Sequence, residues 1–204
     1  MKKHFLKTVT VIVLTILIFS GCSKVPQAEI DAANTAIDSA KISGAELYLH
    51  DDFVALQDSM SSILVGIEAQ KSKFIKSFSQ TKEDLKGIVR ISQALIKKTE
   101  TRKEELRLEI QNTITDVKSI IEKNRQLVLE APKGKEGTSA LIAIKDELNV
   151  IEITLKEANT MLEGGEYFAT LDKVNAAKEK ANAINGELTE VIAKYKSNVK
   201  NRKG

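Results

Sequence analysis

Cys22 is the only cysteine in the chain, so any thiol chemistry must happen there. It ends the segment MKKHFLKTVTVIVLTILIFSGC. Lys2, Lys3 and Lys7 make the start positive, Thr8 to Phe19 is an uncharged run of apolar residues and threonines, and the small residues Ser20 and Gly21 stand directly before the cysteine. Positive, then apolar, then small is the order of an export signal. The apolar run is about half of the ~20 residues that a membrane-crossing helix needs, so a permanent span is the weaker reading. A second chemical candidate is His50, four residues after Glu46 and next to Asp51 and Asp52, a grouping with metal-binding or acid-base potential. One histidine in a turn is more simply a solvated turn residue.

Phe19-Ser20-Gly21-Cys22 resembles the lipobox of bacterial lipoproteins, with Phe19 where leucine is usual. The resemblance implies a signal peptide 1–21, cut before Cys22, and a lipidated linker 22–26. It implies diacylglycerol on the Cys22 sulfur and an acyl group on its new amino terminus. These lipids are the only added groups expected, and no metal or other cofactor is expected. More than one acyl chain anchors far more firmly than a single one. The location implied is the bacterial cell envelope. Ser23, by the same resemblance, goes with the outer membrane facing the periplasm if the source is Gram-negative.

Cleavage would also change the chemistry of the remainder. The chain has 31 Lys+Arg and 28 Asp+Glu, and loss of Lys2, Lys3 and Lys7 leaves 28 of each. A net basic face for nucleic acid then has no support. Cys22 would be used by lipid and His4 would leave, so Cys-His catalysis and multi-histidine zinc sites are not expected, and no enzyme is expected.

The other candidates are charged or aromatic. The tail KYKSNVKNRKG carries Lys194, Lys196, Lys200, Arg202 and Lys203 without an acid. It suits a helix C-terminus by its dipole, or contact with an anionic envelope polymer or headgroups. A lipidated helix with a basic end resembles the small murein lipoproteins, where a terminal lysine is joined to peptidoglycan; here Gly204 follows Lys203, a departure from that pattern. Glu104, Glu105 and Glu109 lie among Arg102, Lys103 and Arg107 without a Glu-x-x-His pair, which reads as a solvated helix face. Tyr48 and Tyr167 follow two glycine turns and are expected to pack their rings at a bundle end.

What must position these residues is all-α: an elongated antiparallel bundle of coiled-coil-like helices, read as one helical domain 27–202. The spacing predicts helices over 27–43, 51–131, 138–163 and 166–201. Pro26 suits the first turn of the first, with Ile30, Ala33, Ala36 or Ile37, Ala40 and Ile42 as its stripe. Asp51 reads as the N-cap of the second. Phe53, Leu56, Met60, Ile63, Ile67, Phe74, Phe78, Leu85, Ile88, Ile91, Leu95, Leu106, Ile110, Ile114, Val117, Ile121 and Val128 recur at steps of three, four or seven. A break near 77–87 is offered by Ser77, Ser79 and Gly87, with Thr81 and Asp84 as a capping pair. Lys97–Glu105 has no apolar residue and reads as a solvated stretch. Ala131–Gly137 reads as a loop, and Thr138 or Ser139 as the following cap. The last two helices carry Leu148, Ile151 and Leu155, then Phe168, Val174, Ile184, Leu188 and Tyr195. AIDSAKISGAELYLHDDFVAL and TLKEANTMLEGGEYFATLDKV echo one another as helix, glycine turn, tyrosine, helix.

Residues 24–60 resemble the alanine-rich bacterial envelope lipoproteins grouped as a domain of unknown function. The matching positions are Pro26, Glu29, Ala32, Ala36, Ala40, Gly44, Ala45, Tyr48, Asp52 and Phe53; Leu49-His50 stands where Ala-Pro is common. The resemblance implies a helical envelope lipoprotein without an assigned activity. The expected role is a spacer, tether or scaffold, with the membrane as one partner and peptidoglycan or another envelope protein as the other. The alternative is a binding module, holding a peptide, glycan or apolar ligand in a pocket among Phe53, Phe74, Phe78 and the last two helices.

Overall fold

The computed structural model describes residues 24–133 and 135–201. Among them the fold is all-α, with six helices and no strand. They are α1 Gln27–Ile42, α2 Ala45–Tyr48, α3 His50–Lys71, α4 Ser79–Glu130, α5 Lys135–Glu163 and α6 Tyr167–Asn201. The residues cluster into two compact units, divided at Arg102 and Lys103 within α4, where the sequence reads as one domain.

The first unit is built from α1, α2, α3 and the first part of α4. Pro26 precedes α1 and its carbonyl accepts from the Ile30 N–H at 3.0 Å, a position where proline's missing N–H costs nothing. Gly44, at φ 94°, turns the chain out of α1, a left-handed conformation that favours glycine. Ala33, Ala40 and Ala45 are fully buried, so small side chains let the helices approach closely. The helix after α2 starts at His50, one residue before the expected cap. Leu49 supplies its first acceptor, to the Phe53 N–H at 3.0 Å, and Asp51 and Asp52 fall in its first turn, where the helix dipole favours acids.

The helical order of this unit is up, down, up. Lys98 bonds Asp52 at 3.0 Å, and the same groove brings Ser59 to Ile91, so α3 and α4 run antiparallel. Lys82 bonds Glu29 at 3.0 Å, so α1 and α4 begin at the same end. Phe53, Leu56, Ile67, Phe78, Leu85 and Ile88 fill the centre. The break between α3 and α4 falls at Ser72–Phe78, and Thr81, Asp84 and Gly87 lie inside α4. Three expected stripe residues are outside the core. Phe74 is in the break and fully exposed, Ile42 lies at the last turn of α1, and Ile91 is half exposed on α4.

The second unit is also up, down, up. Arg125 bonds Glu152 at 2.9 Å and Lys173 bonds Glu157 at 2.8 Å, which sets α5 antiparallel to both neighbours. Asp116 bonds Lys178 at 2.8 Å and Glu130 meets Lys196 at 3.6 Å, a parallel pairing of α4 and α6. Ile110, Val117, Ile121, Leu148, Ile151, Leu155, Val174, Ile184 and Leu188 form its core, whereas Tyr195 and Phe168 are largely exposed. α5 starts at Lys135, so Thr138 and Ser139 lie within it. It ends in a Schellman turn: Gly165, at φ 78°, donates to the Leu162 carbonyl and Glu166 to the Met161 carbonyl, both at 3.1 Å. The two echoing segments thus hold the two positive-φ glycines of the described residues.

Lys97–Glu105 is not a wholly solvated stretch. Thr99 is fully buried one heptad before Leu106, which is buried too. The Thr99 hydroxyl donates to the Leu95 carbonyl at 2.9 Å, so its burial leaves no polar group stranded.

Candidate functional sites

Cys22, with the preceding signal 1–21, lies outside the described residues, as do Arg202 and Lys203. The structure first describes the chain at Lys24, which is exposed. Val25 packs against the core of the first unit and Pro26 is buried. Whatever is attached at Cys22 is therefore joined, within three residues, to a packed point of that unit.

His50 opens α3 and is exposed, its Nδ1 3.3 Å from the Glu46 carbonyl oxygen. Asp52 accepts from Lys98 rather than turning to the imidazole. Among the described residues no group of three or more His, Cys, Asp or Glu is placed to hold a metal ion. Tyr167 packs against the second core, while Tyr48, the last residue of α2, is half-buried.

The charged face of α4 is paired along its own helix. Arg107 grips Glu104 with two bonds, Nε to Oε2 at 2.7 Å and a terminal nitrogen to Oε1 at 2.6 Å. This fork holds the Glu104 carboxyl below the usual glutamate range and raises the guanidinium further. Arg125 is held by Glu152 and also by Glu122, which raises its pKa in the same way. The Glu104–Arg107 and Glu122–Arg125 pairs brace α4 along its own length, and Arg125–Glu152 ties it to α5.

The basic C-terminal run is partly committed. Lys194 pairs with Glu190, lowering that glutamate's pKa, and Lys196 reaches Glu130 on α4. Lys200 is exposed at the last turn of α6. Of the three described cations of this run, Lys194 and Lys196 therefore spend charge on neighbouring acids.

Of the residues expected to line a pocket, Phe53, Phe74 and Phe78 belong to the first unit. Phe53 and Phe78 are each 1% exposed and fill the first core, and Phe74 points to solvent. What the first unit offers is an open groove of about 250 Å³ between α3 and α4, floored by Leu56 and Leu95 and rimmed by Asp52 and Lys98. The ion pair across its rim ties the two helices together.

The break Ser72–Phe78 was missed as a feature in its own right, because Phe74 fits the apolar period seven residues after Ile67. The signal that marks it is composition. Lys71, Lys73 and Lys76 interleave with Ser72 and Ser77 around Phe74-Ile75, and the segment 71–78 has no acid. Phe74 is fully exposed and Ile75 is 81% exposed. No family model, curated protein or solved structure matches the chain.

Proposed function

We propose that the chain is a lipid-anchored protein of the bacterial cell envelope, with a structural, tethering or scaffolding role and without catalysis. The observation that carries this reading is the order of residues 1–22: lysines, an uncharged apolar run, two small residues and the lone cysteine. The alanine-rich residues 24–60, which resemble a class of helical envelope lipoproteins, point the same way. The helices support it by what they do with charge, since Arg125–Glu152 and Asp116–Lys178 tie one helix to another and the Glu104–Arg107 fork braces a single helix. Among the described residues no helix is long and apolar enough to cross a membrane. On this reading the acyl chains at Cys22 hold the protein to the bilayer.

Metabolic labelling with an alkyne-bearing fatty acid tests the anchor. The wild-type chain is expected to take up label and the Cys22→Ala chain none; equal labelling of both overturns the reading. Crosslinking in intact envelopes tests the role. Peptidoglycan fragments in the recovered material support a tether, a single protein complex supports a scaffold, and recovery of neither overturns both.

A further inference from the structure

We propose that the loop Ser72–Phe78 is a membrane-docking site, which places Phe74 and Ile75 among the headgroups of an anionic lipid surface. The inference rests in part on the lipid-anchor reading of Cys22.

Three observations converge on it. The first is exposure. Phe74 and Ile75 are adjacent, large and apolar, and both stand in solvent at the turn between two packed helices. The second is charge. Lys71, Lys73 and Lys76 surround them with no acid in the segment, although Lys71 also bonds Glu68 at 2.6 Å. Apolar side chains ringed by lysine suit the boundary of an anionic bilayer, where the ring enters the acyl edge and ammonium groups meet phosphates.

The third is position. The register that pairs Asp52 with Lys98 and brings Ser59 to Ile91 sets Lys71 level with Ser79. The Glu29–Lys82 pair sets Pro26 level with the same residue. The loop and the start of α1 are thus at one end of the first unit. Val25 is packed there, and Cys22 is only three residues before it, a reach of at most ~11 Å for extended chain. An acylated Cys22 would hold this end, and no other, against the membrane. The opposite end of the unit carries Glu46, Asp51 and Asp52 around the α2 turn, with Glu46 paired to Lys41 and Asp52 to Lys98, so it lacks the acid-free run of lysines found at the loop.

A protein partner fits less well. A standard protein interface needs roughly 800 Å² from each side. A phenylalanine contributes about 150–250 Å² at most, so two adjacent side chains fall well short.

The chain has no tryptophan, so Phe74→Trp creates a single reporter, and Ile75→Trp is a second should the first disturb the fold. The full chain, purified from membranes, is reconstituted into vesicles of phosphatidylglycerol or of phosphatidylcholine. In phosphatidylglycerol the expected result is blue-shifted emission and quenching by lipids brominated in the acyl chain. Lys73→Gln with Lys76→Gln should lower the ratio of inserted to free loop by about 25-fold, at about fivefold for each basic residue lost near an anionic surface. Emission typical of indole in water, from both reporters, overturns the proposal. Shielding that arises only when envelope proteins are added overturns it in favour of a protein partner. The mass of the Cys22 peptide from the same sample separates the two readings. Acylated chain with a wet reporter sinks the loop alone, and unacylated chain with a quenched reporter sinks the anchor alone.

Discussion

Asn124 is fully buried in the second unit and ties α4 to α6. Its Nδ2 donates to the Ala181 carbonyl at 2.7 Å, and its Oδ1 accepts from Asn185 Nδ2 at 2.6 Å. Asn124→Ala removes both bonds. Neither partner is then stranded: the Ala181 carbonyl lies inside α6, where the helical ladder uses it, and Asn185 is half-exposed and can turn to water. Two net hydrogen bonds and the vacated space give a loss of about 3 kcal/mol. Asn124→Leu loses the same bonds but fills the space and buries apolar area, so its stability should stay within about 1 kcal/mol of wild type.

The leucine variant loses something else. The ion pairs Asp116–Lys178 and Glu130–Lys196, which also join α4 to α6, are surface pairs of small energetic weight. A buried asparagine specifies register, as it does in coiled coils. Native-state hydrogen exchange at the amides around Ala181, Ile184 and Leu188 reads stability in this unit residue by residue. The alanine variant should lose protection by the amount above, and the leucine variant should keep protection but show more than one environment for α6. An alanine variant within ~0.5 kcal/mol of wild type, the range of an ordinary surface change, would refute the reasoning.

Two glycine series have opposite expected signs. Gly44→Ala and Gly165→Ala force a side chain into the left-handed region, at about 1–2 kcal/mol each, although a Cβ at Gly165 meets nothing within 4 Å. Gly66→Ala, inside α3 and equally open, should gain about 0.5–1 kcal/mol. Thermal melts check both, and a stabilised Gly165→Ala would contradict the turn. Acid should destabilise the fold through Glu29, Glu83, Glu104 and Glu190, each held below the ordinary value of 4.5 chiefly by a hydrogen-bonded Lys or Arg. A lowered folded pKa contributes stability that is present above 4.5 and lost as pH falls through the folded value. Melting temperatures followed downward from neutral pH should show this, and Glu29→Gln should flatten the decline in the first unit.

Much of the helical pattern was legible in spacing, because Leu85, Ile88, Leu95, Ile110, Val117 and Ile121 repeat at helical steps and are buried. Ser92, Thr99, Thr113, Asn124 and Thr170 occupy core positions that a search for apolar residues passes over. Two of the threonines are admitted to the core because each hydroxyl bonds a carbonyl one turn back, Thr99 to Leu95 and Thr170 to Glu166. Ser92 has no such partner. Phe74 misled in the other direction, since its period fits and only the chain break exposes it. At the C-terminus the run of lysines gave no sign of Glu130, the acid that Lys196 meets from another helix. The proposed signal at Cys22 rests on sequence order alone, whereas the proposed docking loop also rests on exposure and on its place at one end of the first unit.

Lys97–Glu105 shows that a helix and a core are sustained by different forces. The first apolar cluster ends on α4 at Leu95 and the second begins at Ile110, with Leu106 in neither. α4 nonetheless stays helical throughout. Lysine, glutamate and arginine are good helix formers, and the Glu104–Arg107 fork adds a bond across one turn. Local propensity therefore carries the helix across a gap in the apolar clusters. Thr99 takes the heptad position inside that gap at little cost, because its hydroxyl is satisfied by its own helix. A satisfied threonine keeps the position buried while the cluster on each side closes separately.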